Sequence, residues 1–285
     1  MTRSDARVVE MYDRHPISTA QIMAKLKALR GGLDGLDPSD LYDHDQDHYG
    51  GLDANRALAR RAGLKPGMRV ADFCAGLGGP ARFFAREYGV HVTGVELNAS
   101  RVAGACELTA LVGLEDRVDV IEGNVLAVPL PDRTVDAVIS QEALLHVPDK
   151  AGALGEAWRV LKPGGRLVFT DWIAHRPLDG ADTDILWQGL AAQSLQSIPG
   201  YETLLSQAGF ELEAGEDLTR EWADILEGRF KMYRALREET SGAGLPAGEE
   251  AFYRAYVRLV DLVKSGALGG GRFTAGKHIR GGTED

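Results

Sequence analysis

The run Arg69-Val-Ala-Asp-Phe-Cys-Ala-Gly-Leu-Gly-Gly79 constrains this chain more than any other stretch. Its apolar start reads as a buried strand, and three glycines within four positions turn that strand sharply into a helix. Gly76, Gly78 and Gly79 carry no side chains, so backbone there can approach a small polar ligand closely. About 20 residues on, Val90-His-Val-Thr-Gly-Val-Glu96 repeats the strand pattern and ends on an acid. In parallel α/β sheets a carboxylate at that position takes the hydroxyls of a ribose. The two runs together describe a nucleoside-binding crevice at the carboxyl ends of strands.

Two cofactor classes share that geometry. Gly76-Leu-Gly-Gly-Pro-Ala81 fits the loose G-x-G-x-x-A pattern of dinucleotide enzymes, and with Glu96 the matching cofactor is NAD. Asp72 argues the other way. It sits inside the first strand, four residues before the first glycine, where a carboxylate repels a pyrophosphate and suits an ammonium group. S-adenosylmethionine offers an aminoacyl ammonium, a sulfonium and a ribose diol, and no phosphate. A third reading keeps the nucleoside site for structure or partner assembly without catalysis.

Downstream segments extend the pattern: Glu122-Gly-Asn124 after a third strand, Asp136-Ala-Val-Ile-Ser-Gln141 as a fourth, Leu161-Lys-Pro-Gly-Gly165 before a fifth. In this order and spacing the chain resembles the class I S-adenosylmethionine-dependent methyltransferases, over residues 45 to 176. The resemblance implies an α/β, Rossmann-like, doubly wound and mostly parallel seven-stranded sheet with helices on both faces, an antiparallel last strand and a helical cap. S-adenosyl-L-methionine is then the expected cofactor. Its ribose would meet Glu96, with Leu97 against the adenine, while Ala75, Gly76 and Gly78 offer backbone and Asp72 a counter-charge. Asn124 with Val125 would reach the adenine amino group, at a place where the family often has Asp. Gln141 resembles the family's contact to the cofactor's amino-acid end.

Asp45-Gln-Asp-His48-Tyr49-Gly50-Gly51 is the second specific motif. It is similar to a D-Q-x-H-x-G-G segment in a subset of small-molecule methyltransferases, where the N-terminal segment folds over the cofactor. That likeness adds Tyr49 and Gly51 to the cofactor contacts. A rival reading treats Asp43, His44, Asp45, Asp47 and His48 as hard metal ligands; neighbouring residues on one loop cannot all point inward, so no metal site is expected.

The stretch Ser140-Gln-Glu-Ala-Leu-Leu-His-Val-Pro-Asp-Lys150 follows the fourth strand and should face the departing methyl group. His146 is the candidate catalytic group, because imidazole titrates near neutrality and can take a proton or orient a lone pair. The layout resembles the sarcosine and dimethylglycine N-methyltransferases and the related tocopherol and phosphoethanolamine enzymes, which implies a small-molecule amine or amino acid as acceptor, with C-, O- or S-methylation as alternatives. Tyr12, His48, Trp172 and Tyr201 are the candidate acceptor contacts. Tyr49, Trp187, Trp222, Phe230 and Tyr233 are further aromatics able to hold a methylated ammonium, and Arg176, Arg229 and Arg254 are candidate partners of an acceptor carboxylate.

Residues 1 to 65 read as helical, with Ser4 and Ser18 as caps and Ile22, Leu26 and Leu29 on one face. Residues 66–218 with 266–277 form the expected core. Two long helical patterns, 219–239 and 248–264, split by Ser241-Gly-Ala-Gly-Leu-Pro246, form a cap inserted before a last strand at Arg272-Phe-Thr-Ala275. These helices are also the candidate surface for a homodimer. With 42 acidic against 32 basic residues the net charge is -10, which opposes phosphate-backbone binding and leaves no basic stripe for nucleic acid or an anionic membrane. Cys74 and Cys106 read as reduced core residues. The N-terminus shows no apolar leader, and a cytoplasmic location is expected.

Overall fold

The computed structural model describes residues 2–15, 17–240 and 247–278, with side chains left out for 235–240 and 247–249. Helix α1 (Arg3–Asp13) is capped by Thr2, not by Ser4. The Thr2 hydroxyl accepts from the Asp5 amide while the Asp5 carboxylate accepts from the Thr2 amide, at 3.1 and 2.8 Å. That reciprocal box needs an acid three residues after the cap, and only Thr2 has one in register. Ser18 caps α2 (Thr19–Arg30), and Gly31 ends it at φ 78°. Ile22 and Leu26 are buried; Leu29 lies in the last turn, beyond the surface that covers them, and is 72% exposed.

A 3-10 turn over Pro38–Leu41 leads to α3 (Gly51–Ala62), and then strands and helices alternate. They are β1 (Arg69–Phe73), α4 (Gly79–Tyr88), β2 (His91–Glu96), α5 (Ala99–Leu111), β3 (Val118–Glu122), β4 (Val135–Gln141), α6 (Lys150–Val160) and β5 (Leu161–Ala174). The chain continues through α7 (Gly180–Leu190), α8 (Ile198–Gln207), β6 (Glu211–Asp217), α9 (Thr219–Thr240), α10 (Ala247–Lys264) and β7 (Leu268–Gly276). The segment 241–246, read as the break between the two long helices, lies outside the described residues.

The seven strands of the described residues form one sheet of order β3-β2-β1-β4-β5-β7-β6. Only β7 runs antiparallel, wedged between β5 and β6. Strand β1 pairs in parallel with β2 on one side and β4 on the other. The winding reverses between β1 and β4, so their carboxyl ends diverge and open the crevice that such sheets use for ligands. Val70, Ala71 and Phe73 are buried, as expected for a strand covered on both faces.

The last strand is longer than the sequence pattern suggests, and it takes in Gly269, Gly270 and Gly271. Glycine is a poor strand former, so packing decides here. A methyl group on Gly270 would stand 2.2 Å from the Trp222 ring, and one on Gly269 would overlap Thr219. The bare backbone is the seat on which the first turns of α9 lie. Among the described residues, no helix is long and apolar enough to cross a membrane.

Candidate active site

One cavity opens at the carboxyl ends of β1, β2 and β4 and continues beneath α1, α9 and α10, enclosing about 1560 Å³ out to open solvent. Asp72 forms its floor and is 3% exposed. Its Oδ2 has no hydrogen-bond partner among the described residues. Burial, then the charge of Glu96, pushes the Asp72 carboxyl up to about 7. A buried carboxylate without a partner is unfavourable, and a cation in the cavity removes that penalty. Gln141 adds a second unpartnered oxygen, Oε1, in the same cavity wall.

After β1 the chain turns through Cys74 and Gly76 at φ 60° and 57°. The amides of Cys74 and Ala75 both bond the Val95 carbonyl, at 2.8 and 3.2 Å, which stitches the loop to β2. Glu96 accepts from the Gly76 amide with one oxygen and from the Asn98 amide with the other, both at 2.9 Å. The carboxylate is thereby fixed in the plane of the loop, with lone pairs remaining for a diol. Leu97, Asn124 and Val125 line the cavity beyond it, and Asn124 Oδ1 accepts from the Leu126 amide at 2.9 Å.

The D-Q-x-H-x-G-G segment is a hydrogen-bond hub. Asp45 turns into the core and pairs with the fully buried Arg82 at 2.9 Å. Gln46 bonds Asp45, His48 and Asn55, and Asn55 accepts from the Gln141 amide at 3.0 Å. Burial pushes His48 down to about 4, so it is neutral. Asp47 pairs with Arg101 at 3.0 Å and faces His15, just past α1, at 3.6 Å. These side chains diverge into separate pairings, and no trio of His, Cys, Asp or Glu converges on a metal-sized point among the described residues.

Beyond this hub the cavity becomes aromatic. Tyr49 stands edge-on to Trp222 at 4.9 Å, and the Arg229 guanidinium lies 4.6 Å over its ring. Tyr233, Phe252 and Tyr256 cluster at 4.9 to 6.0 Å, and Trp172, Leu190 and Leu259 complete the wall. Glu142 and His146 also face this half. Glu142 accepts from the Tyr49 amide at 2.7 Å, and burial pushes its carboxyl up to about 8. His146 has Nδ1 3.0 Å from the Ala191 carbonyl and Nε2 3.1 Å from the Tyr12 hydroxyl. Because a carbonyl only accepts, the proton sits on Nδ1, and Nε2 presents its lone pair to Tyr12. Burial pushes this imidazole down to about 4, so it is neutral.

Glu142 and Ala191 hold left-handed conformations, at φ 51° and 50°. With Cys74 they make three of the four non-glycine residues in that region among the described residues. All three touch the cavity or hold a group that does. Such strain persists only where surrounding contacts impose it, and it gathers at functional sites.

Residues 71–169 match the family model described as the methyltransferase domain. The chain thus carries a methyltransferase domain of the class I S-adenosylmethionine-dependent type. It is similar to the sterol 24-C-methyltransferase ERG6B of Gibberella zeae, 37% identical over 169 residues that cover 56% of this chain and 44% of that protein. It is also similar to the glycine/sarcosine/dimethylglycine N-methyltransferase of Actinopolyspora halophila, 33% identical over 208 residues, 72% of this chain and 36% of that one. The chain thus spans less than half the length of either relative. The cyclopropane synthase MmaA2 of Mycobacterium tuberculosis superposes with a TM-score of 0.77 over 97% of this chain and 99% of that one, at 18% identity, a likeness of fold alone.

Within this methyltransferase scaffold the cavity brings together Tyr12, His48, Tyr49, Asp72, Ala75, Gly76, Glu96, Leu97, Asn124, Val125, Gln141, His146 and Trp172. Three expected contacts lie elsewhere. Gly78 serves the turn as the left-handed cap of α4, and Gly51 opens α3. Tyr201 is fully buried behind the sheet, edge-on to Phe169 and tilted against Phe273, with its hydroxyl donated to Asp171. It cannot touch an acceptor, because the helix that carries it packs on β6 and α6, away from the cavity. Of the arginines named for an acceptor carboxylate, only Arg229 lines the cavity; Trp222 and Phe230 pack behind its wall, and Trp187 is not part of the lining. Cys106 is exposed, not core. Sequence reasoning missed Glu142 and Arg101. The signal for Glu142 was its place directly after Gln141, and nothing local reveals its backbone twist.

Proposed function

We propose that this chain transfers a methyl group from S-adenosylmethionine to a small-molecule acceptor, and that the acceptor atom is an amine nitrogen. The observation that carries the cofactor half is the buried Asp72 carboxylate with an oxygen that no described residue satisfies. Beside Gln141 Oε1 it suits the aminoacyl ammonium, Glu96 suits the ribose diol, and Leu97, Asn124 and Val125 suit the adenine. A pyrophosphate at the same place would meet Asp72 as a like charge, which disfavours a nicotinamide cofactor. When bound, S-adenosylmethionine supplies a methyl group activated on a sulfonium, whose thioether leaves without protonation.

The chain's task is then to align the acceptor and exclude water. An amine attacks only when unprotonated. Glu142, whose carboxyl is pushed up to about 8, is the group suited to take that proton, and the neutral His146, with the Nε2 lone pair toward Tyr12, is suited to orient the acceptor. Tyr49, Tyr233, Phe252 and Tyr256 suit a positively charged product by cation–π attraction, about 0.5 to 2 kcal/mol per ring. A second reading, methylation of carbon in an apolar acceptor, draws support from Met11, Leu145, Leu190 and Leu259 in the same wall and from the likeness to the sterol enzyme. Calorimetry with S-adenosylhomocysteine tests the cofactor, and no heat at millimolar ligand defeats the proposal. Incubating acceptor pools with labelled methyl donor separates the two readings: label found on carbon alone overturns the amine assignment.

A further inference from the structure

The loop that carries His146 is fixed from behind by groups that stay out of the cavity. Lys150, Asp171 and Tyr201 come from α6, β5 and α8, and all three are buried. Lys150 Nζ donates to the carbonyls of Leu144 and Val147 at 2.5 and 3.2 Å, and to Ser194 Oγ at 2.8 Å. Asp171 accepts from the Leu145 amide at 3.1 Å with one oxygen and from the Tyr201 hydroxyl with the other. From the opposite side, the Gln193 amide bonds the Leu145 carbonyl and the Gln193 side chain bonds the His146 carbonyl, both at 2.9 Å. Every bond in this set ends on the short 3-10 turn Leu144–His146 or on the residues that hold it.

Buried charges are weak contributors to stability, and apolar replacements often serve better. A lysine and an aspartate retained under one four-residue loop therefore call for a reason other than stability. Lys150 satisfies the two carbonyls that flank His146, while Asp171 fixes the amide just before it. With both in place, the imidazole has one direction to point: Nδ1 to Ala191, Nε2 into the cavity.

We propose that Lys150, Asp171 and Tyr201, with Gln193, are positioning residues that set the orientation and tautomer of His146. The inference rests on reading His146 as the group that faces the acceptor. Tyr201, which looks like an acceptor contact in the sequence, acts instead through Asp171 and the loop backbone.

Nitrogen-15 NMR of the histidine rings tests this on the intact protein, with and without S-adenosylhomocysteine, and needs no acceptor. The wild type should show His146 as the Nδ1–H tautomer with a slowly exchanging proton. Lys150→Met should give mixed tautomers and speed that exchange by about tenfold or more, as local opening becomes easier. Tyr201→Phe should shift the same signals by less, and Lys150→Arg should restore part of the wild-type pattern. S-adenosylhomocysteine affinity should stay within about threefold in each variant, as for sites without shared contacts. If Lys150→Met and Tyr201→Phe keep the wild-type tautomer and exchange rate, the proposal is overturned. Should Lys150→Met fail to fold, Gln193→Ala, at a half-buried position, cuts the direct bond to the His146 carbonyl and decides in the same way. A wild type that binds no S-adenosylhomocysteine defeats the cofactor assignment, while the ring signals of the ligand-free protein still judge the positioning.

Discussion

The two halves of the cavity are built on opposite plans. In the cofactor half, short-range geometry does the placing: strand ends β1, β2 and β4 deliver Asp72, Glu96 and Gln141, and the tight loop at Gly76 delivers backbone. Polar atoms there are left without partners, as in Asp72 Oδ2 and Gln141 Oε1. The acceptor half gathers Tyr12, Glu142, Leu190, Tyr233 and Tyr256 from segments far apart in the chain. Glu142 and His146 there are already paired, Glu142 with Tyr49 and His146 with Ala191 and Tyr12, while the Tyr256 hydroxyl is left without a partner among the described residues. A half whose buried carboxylate waits for its ligand's charge and a half whose carboxyl and imidazole are already held should respond differently to mutation.

The largest effect is expected at Asp72. Asp72→Ala should weaken S-adenosylhomocysteine binding by at least about 100-fold, the scale of a buried charge pair that loses a partner. The ligand-free protein should at the same time gain thermal stability, since the uncompensated carboxylate is gone. Undiminished affinity in calorimetry would break the contrast at its strongest point. In the acceptor half, Glu142→Gln should lower turnover by about 100-fold, the usual reach of general base catalysis, with cofactor affinity near that of the wild type. An equal fall in both would mean that the two halves are not separable.

The shift at Asp72 also sets a pH dependence. Its folded value, about 7, lies above the ordinary carboxylate value, so the ligand-free fold binds a proton that the unfolded chain releases. This contribution to stability is present at low pH and is lost as pH rises from about 4 through 7. The ammonium of the ligand favours the ionised form, so cofactor affinity should rise by about tenfold between pH 6 and 8. Titration calorimetry across that range should show the rise in the wild type and a flat profile in Asp72→Asn. His146→Ala should reduce turnover by about tenfold or more while cofactor affinity holds; unchanged turnover would remove His146 from the site. The smallest effect is expected at Gly270→Ala, which displaces Trp222 and with it Tyr49: acceptor KM should rise a few-fold, the scale of a modest overpacking, with kcat and cofactor affinity nearly unchanged.

Much of the fold was legible because its strands declare themselves locally. Val70 to Phe73 and Val92 to Glu96 are short apolar runs closed by glycine or acid, and the alternation with helices forces a parallel sheet. Asp72 stood out for a chemical reason, a charge where a buried strand should have none. Other features depend on partners that no local pattern names. Tyr201 looks like a site aromatic until α8 is seen to pack behind the sheet, and the glycines before Arg272 look like a loop until α9 is laid on them. Glu142 is an ordinary acid in the sequence. Burial pushes its carboxyl up, and the neighbours that pull it part of the way back, Tyr49 and Arg229, come from before β1 and after β6.

The bare stretch of β7 has a further consequence. Bare peptide there lets Trp222 and the start of α9 sit tight against the sheet, so a side chain added to the strand would push Trp222, and the Tyr49 ring that meets it, toward the acceptor chamber. Changes in what the chamber admits are open to the side chains that line it in front of that seat, such as Tyr233, Phe252 and Tyr256. Diversification of acceptors in chains built this way should therefore leave the strand untouched and rewrite the two helices that face it.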